Sequence, residues 1–358
     1  MSHYTSDCRE PDPEPMNRPT QVDVARLAGV SRATVSYVLN GQTEGRVPIS
    51  DETRQRVLDA IEELGYEPDA RAQALRSGST NTIALIIPDL RNPHFSEYAL
   101  GVEEAARAAG YHILLSNTSL NPEYAVDVFK DLARRRFDGL IIATAFILGS
   151  PEAQAILAQI RERGLPIVEM SENYGVDSVS ADYQEATREV MSYLISLGHQ
   201  RIGMIYGVGG NEHGQDRLQP YFESLRTANL PIDPGLVAEC GPTIEDGYQA
   251  SIKLLSQPSR PTALLTINDL LAISVVRAAA DLGLRIPEDL SLVGFDNIAL
   301  SSYLVPRLTT VTKDAPELGR KAVELLLARL QNRDLPRQVI HSPARLIVRE
   351  STGPVPSL

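Results

Sequence analysis

The sequence predicts a small all-helical module at the N-terminus, followed by a larger α/β body with parallel sheets. Residues 20–76 show helical apolar spacing and no strand-like run. From Ile83 onward, short apolar runs such as "IALIIPD", "GLIIAT" and "LSLVGFD" alternate with longer helical stretches. Continuous apolar strands that alternate with helices indicate parallel sheets with both faces covered. This region is too long for one sheet of usual size, so we expect two α/β subdomains.

The composition is that of an ordinary globular protein. Of its 358 residues, 43 % are hydrophobic and 22 % are charged, and this length predicts two or three domains. No apolar run reaches the roughly 18 residues of a membrane span, and "MSHYTSDCREPDPEPMNRPT" lacks the apolar segment of a secretory signal. Cys8 and Cys240 are too few for a disulfide framework or a zinc site. We therefore expect a cytoplasmic, nucleoid-associated protein that needs no cofactor and contacts no membrane.

The formal net charge of −12 argues against indiscriminate binding of nucleic acid. It leaves room for a local patch, because net charge governs solubility and non-specific association rather than the chemistry of one face. Residues 1–17 are acidic and rich in proline, so we expect a disordered tail there.

The helical module contains two short amphipathic helices that flank a turn. Apolar residues recur at helical spacing in two groups, namely Val24, Leu27 and Ala28, then Val35, Val38 and Leu39. Between the groups, Gly29 suits a left-handed turn, Val30 can fill the corner, and Ser31 can cap the next helix. Two helices joined in this way form a helix-turn-helix. We expect helices over about 21–28, 32–40 and 50–64.

The outer face of the second helix is polar and carries no acid, and it consists of Arg32, Ala33, Ser36, Tyr37 and Asn40. Residues 18–40 hold Arg18, Arg26 and Arg32 against Asp23 alone, a local charge of 3 − 1 = +2. The acids of the module are concentrated in the third helix, which can face away from DNA. Spacing alone fits a DNA-binding helix-turn-helix and a generic three-helix bundle equally well.

Longer motifs carry a resemblance to a known family. The module reads "TQVDVARLAGVSRATVSYVLN", then "ISDETRQRVLDAIEELGYEPDARAQAL". The body continues with "LGHQRIG", "PTALLTINDLLAISVVRAAADLGLRIPEDLSLVGFDN", "LTTV" and "VRES". Over residues 20–352 the chain resembles the lactose-repressor/galactose-repressor (LacI/GalR) family of bacterial transcription factors. Its body is similar to periplasmic sugar-binding proteins, in which two subdomains close on a small molecule.

The resemblance implies a division of the chain. The expected segments are a tail (1–17), a helix-turn-helix headpiece (18–66), a hinge helix with linker (67–79), and an effector-binding and dimerisation domain (80–358). Within that last domain, the N-subdomain is expected at about 80–183 and 313–342, and the C-subdomain at about 184–312 and 343–358.

The resemblance also implies DNA-binding roles for residues of the module. The positions expected to read base edges in the major groove are Arg32, Ala33 and Tyr37. The positions expected to hold phosphates, which fix register without reading sequence, are Thr20, Ser31, Thr34, Ser36 and Asn40. Leu75 in "ARAQALRSG" matches a hinge-helix residue that family members insert into the minor groove, where an apolar wedge bends the duplex. Many members have Arg where this chain has Tyr37, so the base preference there is expected to differ.

An effector site is expected beyond the carboxyl ends of the body strands, where open α/β sheets bind ligands. The candidates that follow strands directly are His94, Phe95, Ser171, His213, Arg217, Asn268 and Asp296. In the family, positions matching Arg217, Asn268 and Asp296 hold effector hydroxyls or carboxylates, and Phe95 would supply an apolar wall. Asp269 is expected to cap the helix that follows it, and His199 in "LGHQR" is expected to be structural.

These features together predict a regulator rather than an enzyme. The expected function is that of a repressor that binds a palindromic operator as a homodimer, under the control of a small-molecule effector, a sugar or a sugar derivative. The first alternative is a stand-alone sugar-binding protein. The second is a sugar- or nucleotide-processing enzyme, but "GVGGNEHG" at 207–214 fails the G-x-G-x-x-G pattern and lacks the lysine of a P-loop.

Overall fold

A computed structural model describes residues 19–40, 49–67, 78–143, 150–171, 175–207 and 215–356. The chain divides into two compact units, with the boundary between Thr80 and Asn81. The expected tail (1–17), Leu75 of the expected hinge helix and His213 of the expected effector site lie outside the described residues.

The first unit contains three helices, which are α1 (Gln21–Ala28), α2 (Arg32–Asn40) and α3 (Asp51–Leu64). Gly29 ends α1 at φ 65°, in the left-handed region where glycine carries no steric cost. The Ser31 hydroxyl accepts a 3.1 Å hydrogen bond from the Thr34 amide, which fixes the first turn of α2. The turn geometry predicted from "GVS" is therefore the observed one.

The core of this unit is small and aliphatic. Val24, Val35 and Val57 are fully buried, and they bring one residue from each helix into a single cluster. The expectation that Leu27 belongs to this core is wrong, because its side chain is 46 % exposed. Ala25 is buried in its place, since the apolar stripe of a short helix facing two partners is broader than one i, i+3, i+4 series.

The second unit contains two six-stranded sheets. Sheet A consists of β1 (Thr82–Ile87), β2 (His112–Asn117), β3 (Gly139–Ile142), β4 (Ile167–Glu169), β5 (Asp177–Ala181) and β11 (Val339–Ser342). Sheet B consists of β6 (Ile202–Tyr206), β7 (Val237–Glu239), β8 (Ala263–Thr266), β9 (Ser291–Phe295), β10 (Thr309–Thr312) and β12 (Arg345–Ile347). The strand orders are β11-β5-β4-β3-β1-β2 and β12-β10-β9-β8-β6-β7. All neighbours are parallel except β10 and β12.

Helices cover both sheets. They are α4 (Pro93–Ala108), α5 (Pro122–Arg134), α6 (Pro151–Glu162), α7 (Tyr183–Ser196), α8 (Gln215–Thr227), α9 (Ile244–Leu255), α10 (Asp269–Asp281) and α11 (Ala315–Gln331). Alternate residues of β1 show why the strand is apolar throughout. Ile83 and Leu85 pack with α4 and α11, whereas Ala84 and Ile86 pack with α5 and α6. Among the described residues, no helix is both long and apolar enough to cross a membrane.

The chain passes between the two sheets three times. It leaves sheet A after β5, returns to it between β10 and α11, and leaves it again between β11 and β12. Tyr183 lies directly after the first crossing, and Lys313 lies at the second. Residues at such crossings are positioned by both sheets at once.

Close contact between α4 and α11 depends on Gly101. A methyl group at this position would overlap with the backbone carbonyl of Pro316, which cannot move without shifting α11. We expect Gly101→Ala to lower the free energy of unfolding by about 1–3 kcal/mol, the usual cost of overpacking a core. Urea unfolding followed by circular dichroism measures this change. Leu100→Ala on the same helix is the control, because Leu100 is 53 % exposed and its loss should change stability by less than about 0.5 kcal/mol. Equal stability of the two variants would contradict the close contact.

Candidate functional sites

The outer face of α2 presents the three residues that were predicted to read bases. Arg32, Ala33 and Tyr37 are all exposed. The Arg32 guanidinium is held loosely, since its Nε donates to Gln21 Oε1 of α1 at 3.5 Å. Asn40 ends α2, and its side chain lies outside the described part of the structure.

The predicted phosphate-binding hydroxyls occupy the starts of α1 and α2. Ser31 Oγ and Thr34 Oγ1 lie 2.9 Å apart and share a hydrogen bond, while the Thr20 hydroxyl donates to Asp23 at 2.7 Å. Ser36 is half-buried on the same helix as Thr34. Amides and hydroxyls at a helix N-terminus are well placed for an anion such as phosphate.

In the body, polar side chains converge beyond the carboxyl ends of several strands. The five that form this cluster follow β1, β5, β6, β9 and β10 in turn, and they are His94, Tyr183, Arg217, Asp296 and Lys313. We refer to these five residues as the cleft cluster. His94, Arg217 and Asp296 were predicted from sequence, whereas Tyr183 and Lys313 were not.

Asp296 stands at the centre of the cleft cluster on a strained backbone. Its φ is 101°, and that of Asn297 is 53°, so two consecutive non-glycine residues occupy the left-handed side of the map. Asn297 is held there by its amide, which donates to Thr310 Oγ1 at 3.3 Å, and by Arg349, which donates to its Oδ1 at 2.6 Å. Backbone strain that neighbours hold in place is typical of ligand sites.

The charged atoms of the cleft cluster lie close together but do not pair fully. Asp296 Oδ1 lies 3.7 Å from Lys313 Nζ and 3.9 Å from His94 Nδ1, both beyond hydrogen-bond distance. Within the described part of the chain, His94 Nδ1 and Arg217 Nε are buried without a hydrogen-bond partner. The cluster therefore holds unsatisfied polar atoms that a ligand could satisfy.

Aromatic rings hold the cations in position. The guanidinium carbon of Arg217 lies 3.7 Å above the centre of the Tyr183 ring and 5.1 Å from that of Phe295. Lys313 Nζ lies 4.6 Å from the centre of the same Tyr183 ring. Such stacking fixes the plane of a guanidinium while leaving its N–H groups at the edge available.

Burial shifts the pKa values in this cluster strongly. It raises the pKa of Asp296 to about 7, although Arg217 opposes the rise. Burial lowers the pKa of Lys313 to about 7. Burial, with the charges of Lys313 and Arg217, holds the pKa of His94 well below its usual value, so the ring is neutral. Several titratable groups with strongly shifted pKa values in one place indicate a functional site.

The capping role expected for Asp269 belongs to its neighbour Asn268. Asn268 caps α10, because its Oδ1 accepts from the Leu271 amide at 2.8 Å, so the expectation that Asp269 is the cap is wrong. The fully buried Asp269 instead accepts from Thr310 Oγ1 at 2.6 Å and from the Ile298 amide at 2.9 Å. It ties α10 to β10 and to the segment that carries Asp296. The amide nitrogen of Asn268 remains a candidate for ligand binding.

The remaining candidates lie beside or apart from the cleft cluster. Phe95 is half-buried and meets the His94 ring edge-on, with 5.0 Å between ring centres. Ser171 Oγ donates to the fully buried Glu169 at 2.9 Å, at the end of β4. His199 has the structural environment expected of it, because its ring nitrogens lie 3.0 Å from Thr262 Oγ1, Ser291 Oγ and the Gly353 carbonyl.

Comparison with known proteins identifies both units. Residues 20–69 match the model of bacterial regulatory proteins of the lacI family, and residues 191–352 match a periplasmic binding protein-like domain. The chain is 35 % identical to the HTH-type transcriptional regulator DegA of Bacillus subtilis (strain 168), across 94 % of this chain and 98 % of DegA. The chain belongs to the LacI family.

Solved structures agree with this membership of the LacI family. A Lac repressor dimer bound to operator and the anti-inducer ONPF matches with a TM-score of 0.82 and 28 % identity, over 94 % of this chain and all of that one. The regulator CelR in complex with cellobiose matches with a TM-score of 0.68 and 29 % identity, over 93 % of this chain and all of that one. These relatives are transcriptional regulators and not enzymes, so the chain is a DNA-binding transcriptional regulator.

Proposed function

We propose that this LacI-family regulator is a repressor that binds a palindromic operator as a homodimer and responds to a sugar or sugar derivative bound at the cleft cluster. The proposal keeps the predicted boundaries, with a headpiece at 18–66, a hinge at 67–79 and a body from 80. It also places the protein in the cytoplasm, at the nucleoid. The observation that carries it is that one chain contains both an exposed helix suited to reading DNA and a buried polar cluster with unsatisfied groups.

The α2 face supplies the chemistry for reading DNA. An exposed arginine can bind guanine O6 and N7 in the major groove, and the methyl group of an alanine can contact a thymine methyl. Arg32 and Ala33 are adjacent and exposed at the start of α2, the end of a recognition helix that meets the bases. The hydroxyls of Thr20, Ser31 and Thr34, together with Ser36 and Asn40, would bind the flanking phosphates. Leu75 would enter the minor groove.

The cleft cluster supplies the chemistry for a polyhydroxylated effector. A carboxylate accepts sugar hydroxyls, and a planar guanidinium donates to two oxygens at once. Asp296 and Arg217 provide this pair of groups, and the rings of Tyr183 and Phe295 hold the Arg217 guanidinium in place. Phe95, Ser171, Asn268 and His213 are the further residues that we assign to it.

Selection of operator DNA tests the whole proposal. The full-length protein is incubated with randomised duplexes, bound DNA is recovered and sequenced, and the affinity for the selected site is measured with and without a panel of sugars. We expect a palindrome whose half-sites lie about one helical turn apart, and at least one sugar that changes its affinity by about 5–150-fold. Sugar binding without any selected DNA would instead identify a stand-alone sugar-binding protein.

Tyr37 is expected to set part of the base preference. In Tyr37→Arg, an exposed phenol is replaced by a guanidinium that binds guanine. The difference in binding free energy between guanine and the other bases at one operator position should therefore change by about 1–3 kcal/mol. Fluorescence anisotropy with operators altered one base pair at a time measures the change. Gln55→Arg on the exposed surface of α3 adds the same charge away from the reading face and should leave the order of preferences unchanged. An unchanged order in Tyr37→Arg would remove Tyr37 from the reading face.

A further inference from the structure

Lys313 is a buried lysine that the proposed sugar site does not by itself require. It lies at the crossing between β10 and α11, and its side chain is 9 % exposed. Its ammonium group makes no hydrogen bond to any residue that the structure describes; Asp296 at 3.7 Å and the Tyr183 ring at 4.6 Å are its neighbours. Burying an ammonium group whose ion-pair partner lies beyond hydrogen-bond distance is costly, so this position calls for an explanation.

Donors outnumber acceptors in the cleft cluster. Arg217 Nε is buried and unpartnered, and the Lys313 ammonium has three N–H groups to satisfy. Arg217 reaches one carboxylate through its Nη1, that of Asp216 at 3.3 Å, but Asp216 is largely on the solvent side, with a side chain 43 % exposed. Within the cleft cluster Asp296 supplies the carboxylate near these donors, whereas the half-buried Glu97, whose charge raises the pKa of Asp296, accepts from the Ala299 amide at 3.2 Å.

A second buried carboxylate, that of Asp269, does not supply the missing acceptor for Lys313 and Arg217. Asp269 is fully buried, but both of its oxygens are engaged, one by the Thr310 hydroxyl and the other by the Ile298 amide. It serves to hold the segment around Asp296 and has no oxygen turned to Lys313 or Arg217 at hydrogen-bond distance. No described residue therefore supplies a group that satisfies both cations, and a bound ligand is the source that we consider.

We infer that the effector is acidic: a polyhydroxylated molecule whose carboxylate or phosphate pairs with the side chains of Lys313 and Arg217, while its hydroxyls bind Asp296. The inference rests on the proposed function, because it assigns a charge to the effector of that same site. Hydrogen bonds between a charged donor and a charged acceptor are stronger than those to a neutral hydroxyl, and they are strongest in a site shielded from water. A neutral sugar would satisfy Asp296 but would leave Lys313 and Arg217 to share the one carboxylate of the cleft cluster.

Matched pairs of sugars test the inference by isothermal titration calorimetry on the full-length protein. The pairs are glucose with glucuronate, galactose with galacturonate, and ribose with ribose phosphate, so each pair keeps a related skeleton and changes the charge. We expect the acidic member of at least one pair to bind at least about tenfold more tightly than the neutral one. The carboxylate and phosphate pairs show which acid group the site prefers.

Variants assign the preference to Lys313. In Lys313→Met, which keeps the length of the side chain and removes its charge, the acidic preference should fall about tenfold or more, while Lys313→Arg should retain most of it. Lys253→Met is the matched control, because Lys253 is exposed on α9 and its loss should leave the preference unchanged.

The possible outcomes separate the inference from the proposed function. Neutral sugars that bind the wild-type protein as tightly as their acids would overturn the acidic effector and leave a sugar-controlled regulator in place. An acidic preference that persists in Lys313→Met would overturn the role of Lys313. If neither neutral nor acidic sugars bind the wild-type protein, the proposed sugar effector fails, and the inference fails with it.

Discussion

Replacing Arg217 with alanine is expected to abolish the response of operator binding to the effector. The stacked guanidinium carries a buried Nε without a hydrogen-bond partner among the described residues, so a ligand that reaches it gains a charge-assisted hydrogen bond from a group that is already oriented. Each such bond contributes about 1.5–3 kcal/mol, and loss of the two that one planar guanidinium can donate should weaken effector binding by at least about 100-fold. Titration of operator binding against the effector selected above measures the loss.

Operator binding without effector should survive this substitution. By linkage, an effector shifts DNA affinity only through its different affinity for two states of the protein, so a protein that cannot bind it keeps its effector-free affinity. Arg217→Lys keeps the charge without the planar fork and should respond at higher effector concentrations. Arg188→Ala is the control, since Arg188 on α7 pairs with Glu185 and Glu223 away from the cleft cluster. An unchanged dose response in Arg217→Ala would show that the effector binds elsewhere.

Sequence reasoning found the strands that are apolar and missed those that are not. The runs around β1 and β9 are continuous apolar segments, and both strands are observed where they were expected. In contrast, β5 reads "DSVSA" and β10 reads "TTVT", yet Ser178, Thr309 and Thr310 are fully buried. Buried hydroxyls are acceptable when they have partners, as Thr310 has in Asp269, a residue 41 positions away in the sequence. That partner becomes visible only once the fold is known.

The missed strands explain the missed site residues. The candidates were polar residues that follow a recognised strand, and this rule finds His94 after β1 and Asp296 after β9. Tyr183 follows β5 and Lys313 follows β10, so both escaped the rule for the same reason. Their role depends on the crossings between the two sheets, which bring the ends of distant strands together. A local pattern identifies a strand end, but the meeting of several strand ends is a property of the topology.

Tyr303→Asp is expected to convert the proposed homodimer to a monomer and thereby to weaken operator binding by about 100-fold or more. Three large apolar side chains are exposed within the short segment that precedes β10, with Leu300 at 51 %, Tyr303 at 82 % and Val305 at 91 %. Apolar residues concentrated at a surface favour an interface, and tyrosine is a frequent centre of binding energy there. An aspartate buried in such an interface would lose its hydration, and the desolvation of its carboxylate opposes association.

Loss of the dimer weakens DNA binding because the two headpieces no longer bind the two half-sites of one operator together. In a dimer the second headpiece binds its half-site at a high effective concentration, which typically increases affinity by about 10²–10⁴. Sedimentation velocity measures the dimer, and anisotropy with the selected operator measures the affinity. Val348→Asp is the matched control, because Val348 is also an exposed apolar residue of the body but lies beside Tyr193 on α7. A dimeric Tyr303→Asp protein would show that association uses another surface. A monomeric Tyr303→Asp protein with undiminished affinity would show that one headpiece suffices for operator binding.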